Sequence, residues 1–373
     1  MNIPAAKIVF PKDNRETVIN RINEILDTGY LTLGKYGKEF EKQFSEIVGT
    51  KYAITTNGGT SAVEIILRSL KLKGSEVIIP TNTFAATVNA ALHAKTSVRF
   101  VDCNNDYNIN FKNLKESITP RTKAVVMVHI GGYITPEIKE IQKFCLDNNL
   151  YLIEDAAHAH GSSFNEEYAG SFGIANAFSF YPTKLTTSGE GGMITTNNEE
   201  VDKAARVLRD QGKSGFFGNL HEEVGYNWRM SEISAVVGLD HLSYLKRFVE
   251  ERRRLSDIYD DEIDNISGLH TVNILNKKMT NYYKYICVLE KGDRKAIKTI
   301  MKEKYHVGLS GEVYELPCHL QPSFKHLGYK EGDLPISEDL CKRQICLPLY
   351  QTMTEAEADY VIRSLKSVLD EIQ

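Results

Sequence analysis

Short apolar runs separated by amphipathic stretches set the pattern of the first two thirds of the chain. SEVIIP (75–80), SVRFVDC (97–103), KAVVMVHI (123–130), LYLIEDAA (150–157) and NAFSFYP (176–182) are rich in Val, Ile, Phe and Tyr and too short for helices. They predict strands buried on both faces. Helical spacing lies between several of them, in SAVEIILRSLKL after Thr60 and in PEIKEIQKFCLDNN before LYLIED. This βαβ alternation predicts an α/β fold, a mostly parallel sheet with helices on both faces. A ligand site in such a fold lies beyond the carboxyl ends of the strands.

The texture changes later. Residues 231–263 read as one long helix, amphipathic at first and strongly charged afterwards. A smaller α+β pattern follows, with strand-like YYKYICVLE (282–290), helical DRKAIKTIMKEKY (293–305) and a closing helix from Thr354, with Glu357 at capping-box spacing. A soft boundary near residue 250 is expected. It separates a large domain, 1–250, from a small one, 251–373, with the first residues packing against the small one.

Bulk properties narrow the class. The 373 residues are 42 % hydrophobic and 25 % charged, ordinary values for a globular protein. A net charge of -4 argues against a nucleic-acid binder. No apolar run has the length of a membrane span, and the N-terminus, MNIPAAKIVFPKDNRE, lacks a signal-peptide layout. The six cysteines are scattered without a C-x-x-C pair. They read as free thiols in a reducing cytoplasm.

Four stretches fall where an α/β active site belongs. In TTNGGTSAVEI (55–65), Gly59, Thr60 and Ser61 open a helix, and its N–H groups and hydroxyls suit a phosphate. An ordinary N-cap by Thr60 fits equally well. In LIEDAAHAHG (152–161), Asp155 ends an apolar strand and needs a cationic partner or several donors. His158 and His160 share a strand face, which keeps a metal site with Asp155 open, although no fourth ligand is evident. In FSFYPTKLTTSGEGG (178–192), Ser179 and Lys184 precede a glycine cluster that admits a flat ligand. Lys184 is either a solvated lysine or an amine set to attack a carbonyl. In VGYNWRMSEISA (224–235), Asn227 and Arg229 lie just before the Ser231 N-cap and suit a second phosphate contact. A phosphate cradle, a desolvated acid, a lysine and a flat space have one joint explanation, pyridoxal 5'-phosphate. Phe84, in PTNTFAAT (80–87), is the candidate aromatic cover for its ring.

Taken in order, these stretches resemble the DegT/DnrJ/EryC1/StrS family of sugar aminotransferases. The resemblance also takes in DTGYLTLGKYGKEFEKQF (27–44), VHIGGY, LPCHLQP (316–322) and LPLY (347–350), and covers nearly the whole chain. It implies an aspartate-aminotransferase-like fold. It implies that Lys184 holds the cofactor and shuttles the proton, and that Asp155 faces the pyridine nitrogen. Gly59, Thr60, Ser61 and Ser179 are implied at the phosphate, Phe84 on the ring, and Asn227 at the phosphate of a neighbouring subunit, hence a homodimer with shared sites. Tyr181, Arg229 and His319 are the expected substrate contacts. Glutamate is the implied donor and a nucleotide-linked 4-keto or 3-keto deoxysugar the acceptor.

One position departs from the common pattern. Many members have Gln where His158 stands, at the cofactor's phenolic oxygen, and relatives acting on cyclitols carry His. A cyclitol aminotransferase is therefore the nearest alternative. A non-catalytic regulator on the same scaffold and a metal-dependent hydrolase are the more distant ones. A dehydratase branch has His in place of the lysine, whereas Lys184 is present here.

Overall fold

The apolar runs assemble into one sheet in the computed structural model, which describes residues 1–215, 219–263, 265–272, 274 and 277–372. The strands are β1 (Tyr52–Thr56), β2 (Glu76–Pro80), β3 (Ser97–Val101), β4 (Thr122–Val128) and β5 (Tyr151–Asp155). After a small hairpin of β6 (Ser163–Phe164) and β7 (Glu167–Tyr168) come β8 (Ala175–Ser179) and β9 (Gly192–Thr196). The seven-stranded sheet has the order β1-β9-β8-β5-β4-β2-β3. From β3 to β8 all neighbours are parallel, and β9 runs antiparallel to both β8 and β1. All five expected strands are present, and β2, β5 and β8 are almost wholly buried, as helix-covered strands should be.

Register brings the site residues to one edge. Val128 pairs with Asp155, and Asp155 with Ala177. Ser179 and Thr56 both pair with Gly192. The carboxyl ends of β4, β5, β8 and β1 therefore lie beside the start of β9.

Buried carboxylates lock the surrounding helices. Glu232 accepts hydrogen bonds from the N–H groups of Gly34 (2.9 Å), Tyr36 (2.7 Å) and Gly37 (3.0 Å), satisfying the start of the helix Lys35–Val48 from another helix. Glu41, in that helix, accepts from Thr55 N (2.9 Å) and pairs with Arg209 (2.7 Å), tying it to β1 and to the helix Glu199–Arg209.

The expected long helix over 231–263 is two, Glu232–Ser243 and Leu245–Ile263. Tyr244 N bonds back three residues to His241 O, so the backbone tightens by one turn between them. The second helix serves two cores. Leu245, Phe248 and Val249 pack with residues of the large sheet, and Leu255, Tyr259 and Ile263 with the C-terminal core. The boundary expected near residue 250 thus lies inside a continuous helix. The C-terminal core wraps the sheet β10 (Leu269–Thr271), β11 (Tyr285–Leu289) and β12 (Gln344–Leu347) with the helices Arg294–Tyr305 and Glu355–Ile372. Ile3 is buried in this core and bridges to Val307. Thr354 and Glu357 form the expected capping box, with Glu357 N donating to Thr354 Oγ1 and Thr354 N to Glu357 Oε2. No helix of the described residues is long and apolar enough to cross a membrane, and the six cysteines are buried and unbridged.

Candidate active site

Asp155 is the last residue of β5, where the sheet ends and a cleft begins. Its side chain is held by two donors, Thr87 Oγ1 to Oδ2 (2.7 Å) and Ala157 N to Oδ1 (3.2 Å). The residue before it, Glu154, points to the other face of the sheet. There it accepts from the N–H groups of Gly170, Phe172 and Gly173 and meets His129 Nε2 at 2.8 Å. The end of β5 is thus fixed from both sides.

Across the cleft, the helix Gly59–Ser69 begins without a side-chain cap. Its first N–H groups are left for an anion, reinforced by the positive end of the helix dipole. Gly59 is required by packing, because a Cβ there would meet Ser179 Cβ at 2.8 Å. Gly59, Thr60 and Ser179 line the cleft. Ser61 does not; its hydroxyl turns back to Asn57 Oδ1 (2.6 Å) and Gly58 O (2.8 Å) and shapes the loop.

Lys184 lies past β8 in a turn closed by Lys184 N to Tyr181 O (2.9 Å). Its Nζ stands over the ring of Tyr283, 5.0 Å from the centre. Tyr283 in turn stacks on His158, with ring centres 4.2 Å apart. Asn281 enforces this contact. Its Nδ2 donates to the carbonyls of His158 and His160, each at 2.9 Å, and its Oδ1 accepts from Tyr283 N at 2.9 Å. Burial holds the His158 imidazole well below its usual range, and Lys184 and Lys284 reinforce the shift. At Tyr283 burial pushes the phenol up, but Lys184, Lys284, the Thr183 hydrogen bond and Arg252 together outweigh it, and the net shift is downward. A cleft of about 520 Å³ results, walled by Phe84, Tyr314, His158 and Tyr283. Phe84, 63 % exposed, faces Tyr314 with ring centres 6.3 Å apart, and Tyr181 also lines the cleft.

Several expected residues lie elsewhere. His158 and His160 follow β5 in a turn and do not share a strand face. His160 is buried among Phe44, Phe178 and Phe180, and burial followed by the charge of Lys184 lowers it to about 3. Among the described residues no group of three or more His, Cys, Asp or Glu is placed to hold a metal. His319, expected at the mouth, is instead a buried strut. Its Nδ1 lies 2.8 Å from Thr81 Oγ1 and its Nε2 3.0 Å from Glu338 Oε1, linking the end of β2 to the helix Pro335–Arg343. Arg229 is paired with Asp210 at 2.6 Å and does not line the cleft. Asn227 is exposed outside the cleft of its own chain.

Sequence reading missed Thr87, Tyr283, Lys284 and Tyr314. Thr87 had a usable signal, since it stands on the first turn of the helix opened by Phe84. The other three come from beyond residue 280 and reach the site only through the fold.

A family model for DegT/DnrJ/EryC1/StrS aminotransferases matches residues 12–366. The chain belongs to that family. Among its relatives is the spore coat polysaccharide biosynthesis protein SpsC of Bacillus subtilis strain 168, 34 % identical over 370 residues that cover 94 % of each chain. The GDP-perosamine synthase of Escherichia coli O157:H7 is 31 % identical over 349 residues, covering 92 % of this chain and 93 % of the relative. The solved structure of NtdA from Bacillus subtilis with bound cofactor PMP superposes with a TM-score of 0.91 at 28 % identity, covering 99 % of this chain and 85 % of the other. Like the family, the chain is a transaminase dependent on pyridoxal phosphate. The residues present fit that group. An uncapped helix N-terminus suits its phosphate, the fixed Asp155 carboxylate its ring nitrogen, and the Lys184 amine its aldehyde.

Proposed function

We propose that this aminotransferase moves an amino group from glutamate to a nucleotide-linked 4-keto or 3-keto deoxysugar, releasing 2-oxoglutarate and an amino sugar. The observation that carries the reading is the meeting of Lys184, Asp155 and the uncapped helix N-terminus at one cleft. The sugar-nucleotide name of one relative and the polysaccharide role of another support the acceptor class.

Pyridoxal phosphate, when bound, supplies a carbonyl that takes up the amino group and a ring that accepts electrons. Around it the chain's own residues divide the work. The N–H groups at Gly59 and Thr60, with Ser179, would hold the phosphate. Asp155, oriented by Thr87 and Ala157, would keep the ring nitrogen protonated. The Lys184 amine would be the base that takes the proton from the donor's Cα and the acid that delivers it across the nitrogen to the cofactor's aldehyde carbon, with the direction reversed for the acceptor. Neutral His158 lies against Tyr283 on the cleft wall, and Phe84 covers the outer side.

Asn227 serves the phosphate of a neighbouring subunit in a cytoplasmic homodimer. Its exposed place outside its own cleft and the exposed Leu26, Tyr30, Leu31 and Val224 support that pairing. His158 supports a second acceptor class, a keto-cyclitol. The test is a screen with glutamate against nucleotide-linked 4-keto and 3-keto deoxysugars and keto-cyclitols, read by mass spectrometry of the product and by 2-oxoglutarate release. Amination of a nucleotide-linked sugar is expected. Amination of cyclitols alone would replace that reading, and no amination of either would reject it.

A further inference from the structure

Lys284 is a second cation in the cleft, and none of the steps above employs it. It lines the same cavity as Lys184. Asn281 fixes the turn that precedes it, and β11 begins immediately after it. Among the described residues its Nζ is held by neutral acceptors, donating to Gly311 O at 3.0 Å and lying 3.4 Å from Ser310 Oγ. Of the three carboxylates that line the cleft, Glu190 is exposed and the other two are otherwise engaged. Glu312 pairs with Lys298 at 2.6 Å, and Asp155 accepts from Thr87 and Ala157. Lys184 and Lys284 also stand near the same ring, with Nζ atoms 5.0 Å and 5.8 Å from the centre of Tyr283. Two ammonium groups beside one aromatic attract an anion, and more strongly in a cleft than in bulk water.

The two substrates offer different anions. Glutamate carries its α-carboxylate one bond from the carbon whose proton Lys184 moves. A nucleotide diphosphate is joined to the sugar several atoms from the reacting carbonyl. A cation that shares the Tyr283 ring with the reacting amine therefore matches the carboxylate. We propose that Lys284 binds the α-carboxylate of the amino donor, forming a charge-assisted hydrogen bond. This rests on the aminotransferase reading above.

The test compares the unaltered holoenzyme with Lys284→Met and Lys284→Arg. Bleaching of the cofactor's yellow absorption by L-glutamate reports the donor half-reaction. Calorimetric titration with glutarate, which has carboxylates but no amine, reports binding without chemistry. Lys284→Met is expected to raise the glutamate concentration for half-saturation and the glutarate Kd by roughly 10- to 100-fold. The limiting bleaching rate should change far less, and Lys284→Arg should recover most of the affinity. Titration with UDP should give the same Kd in all three proteins. Unchanged glutarate and glutamate affinities in Lys284→Met would overturn the proposal, as would a loss confined to UDP. If glutamate fails to bleach even the unaltered holoenzyme, the wider functional reading falls, and the glutarate titration still decides the role of Lys284.

Discussion

Lys184 and His160 show how one neighbourhood treats two basic side chains differently. The Lys184 side chain lies at the cleft wall beside the face of Tyr283. That position suits an amine that must first bind a carbonyl and then carry a proton. Lys184→Ala should abolish the covalent cofactor band and lower turnover by at least ~100-fold, the lower range of a lost general acid–base. Absorption spectroscopy and a 2-oxoglutarate assay check the two together; a mutant that keeps both would remove Lys184 from the mechanism. His160, by contrast, is buried among phenylalanines and lowered to about 3 from an ordinary value near 6.5. Its unfolded form binds a proton more readily than its folded form. Its contribution to stability is therefore complete above about 6.5 and is lost as the pH falls toward about 3, by at most about 1.4 kcal/mol per pH unit. His160→Leu should flatten that part of the stability–pH curve in denaturant titrations. An identical curve would show that other groups set the acid limb.

At the scale of elements, the active site depends on how closely the helix Gly59–Ser69 approaches the end of β8. An added Cβ at Gly59 would stand 2.8 Å from Ser179 Cβ and 3.3 Å from its Cα, so the helix start would have to move. Gly59→Ala should cost about 1–3 kcal/mol as overpacking and weaken cofactor affinity at the same time. Thermal unfolding and cofactor titration measure the two effects, and unchanged values would mean that the helix start is not held where the phosphate requires it. The same elements show what was legible in the sequence. Strands β2 to β5 and β8 were readable because helices cover both faces of the sheet and leave continuous apolar runs. β1 and β9 were not, because YAITT and GMITT are diluted by threonine and lie beside the glycines of the site. The break at Tyr244 has no glycine or proline to announce it. Lys184, Asp155 and Thr60 were legible through their surrounding motifs. Tyr283 was not, since Thr183 and Tyr283, whose hydroxyls meet at 3.3 Å, stand a hundred residues apart. The expectation for His319 failed because a histidine in a proline-bounded loop reads the same whether it faces solvent or is buried between Thr81 and Glu338.

In the whole molecule, the cleft lies where the two cores meet. The large domain contributes Asp155, Ser179 and the start of the helix Gly59–Ser69, and the C-terminal core contributes Tyr283, Lys284 and Tyr314. The helix Leu245–Ile263, packed into both, sets their relative position. A site assembled this way has the proposed phosphate cradle and acid on one body and the wall beside Lys184 on the other, so cofactor chemistry reports on the entire fold. The absorption spectrum of the purified protein, supplied with pyridoxal phosphate and recorded before and after L-glutamate, is therefore the most direct test. A yellow band that bleaches to the pyridoxamine form is expected, with the band missing in Lys184→Ala. Absence of any band in the unaltered protein would contradict the role given to Lys184 and return it to an ordinary surface lysine.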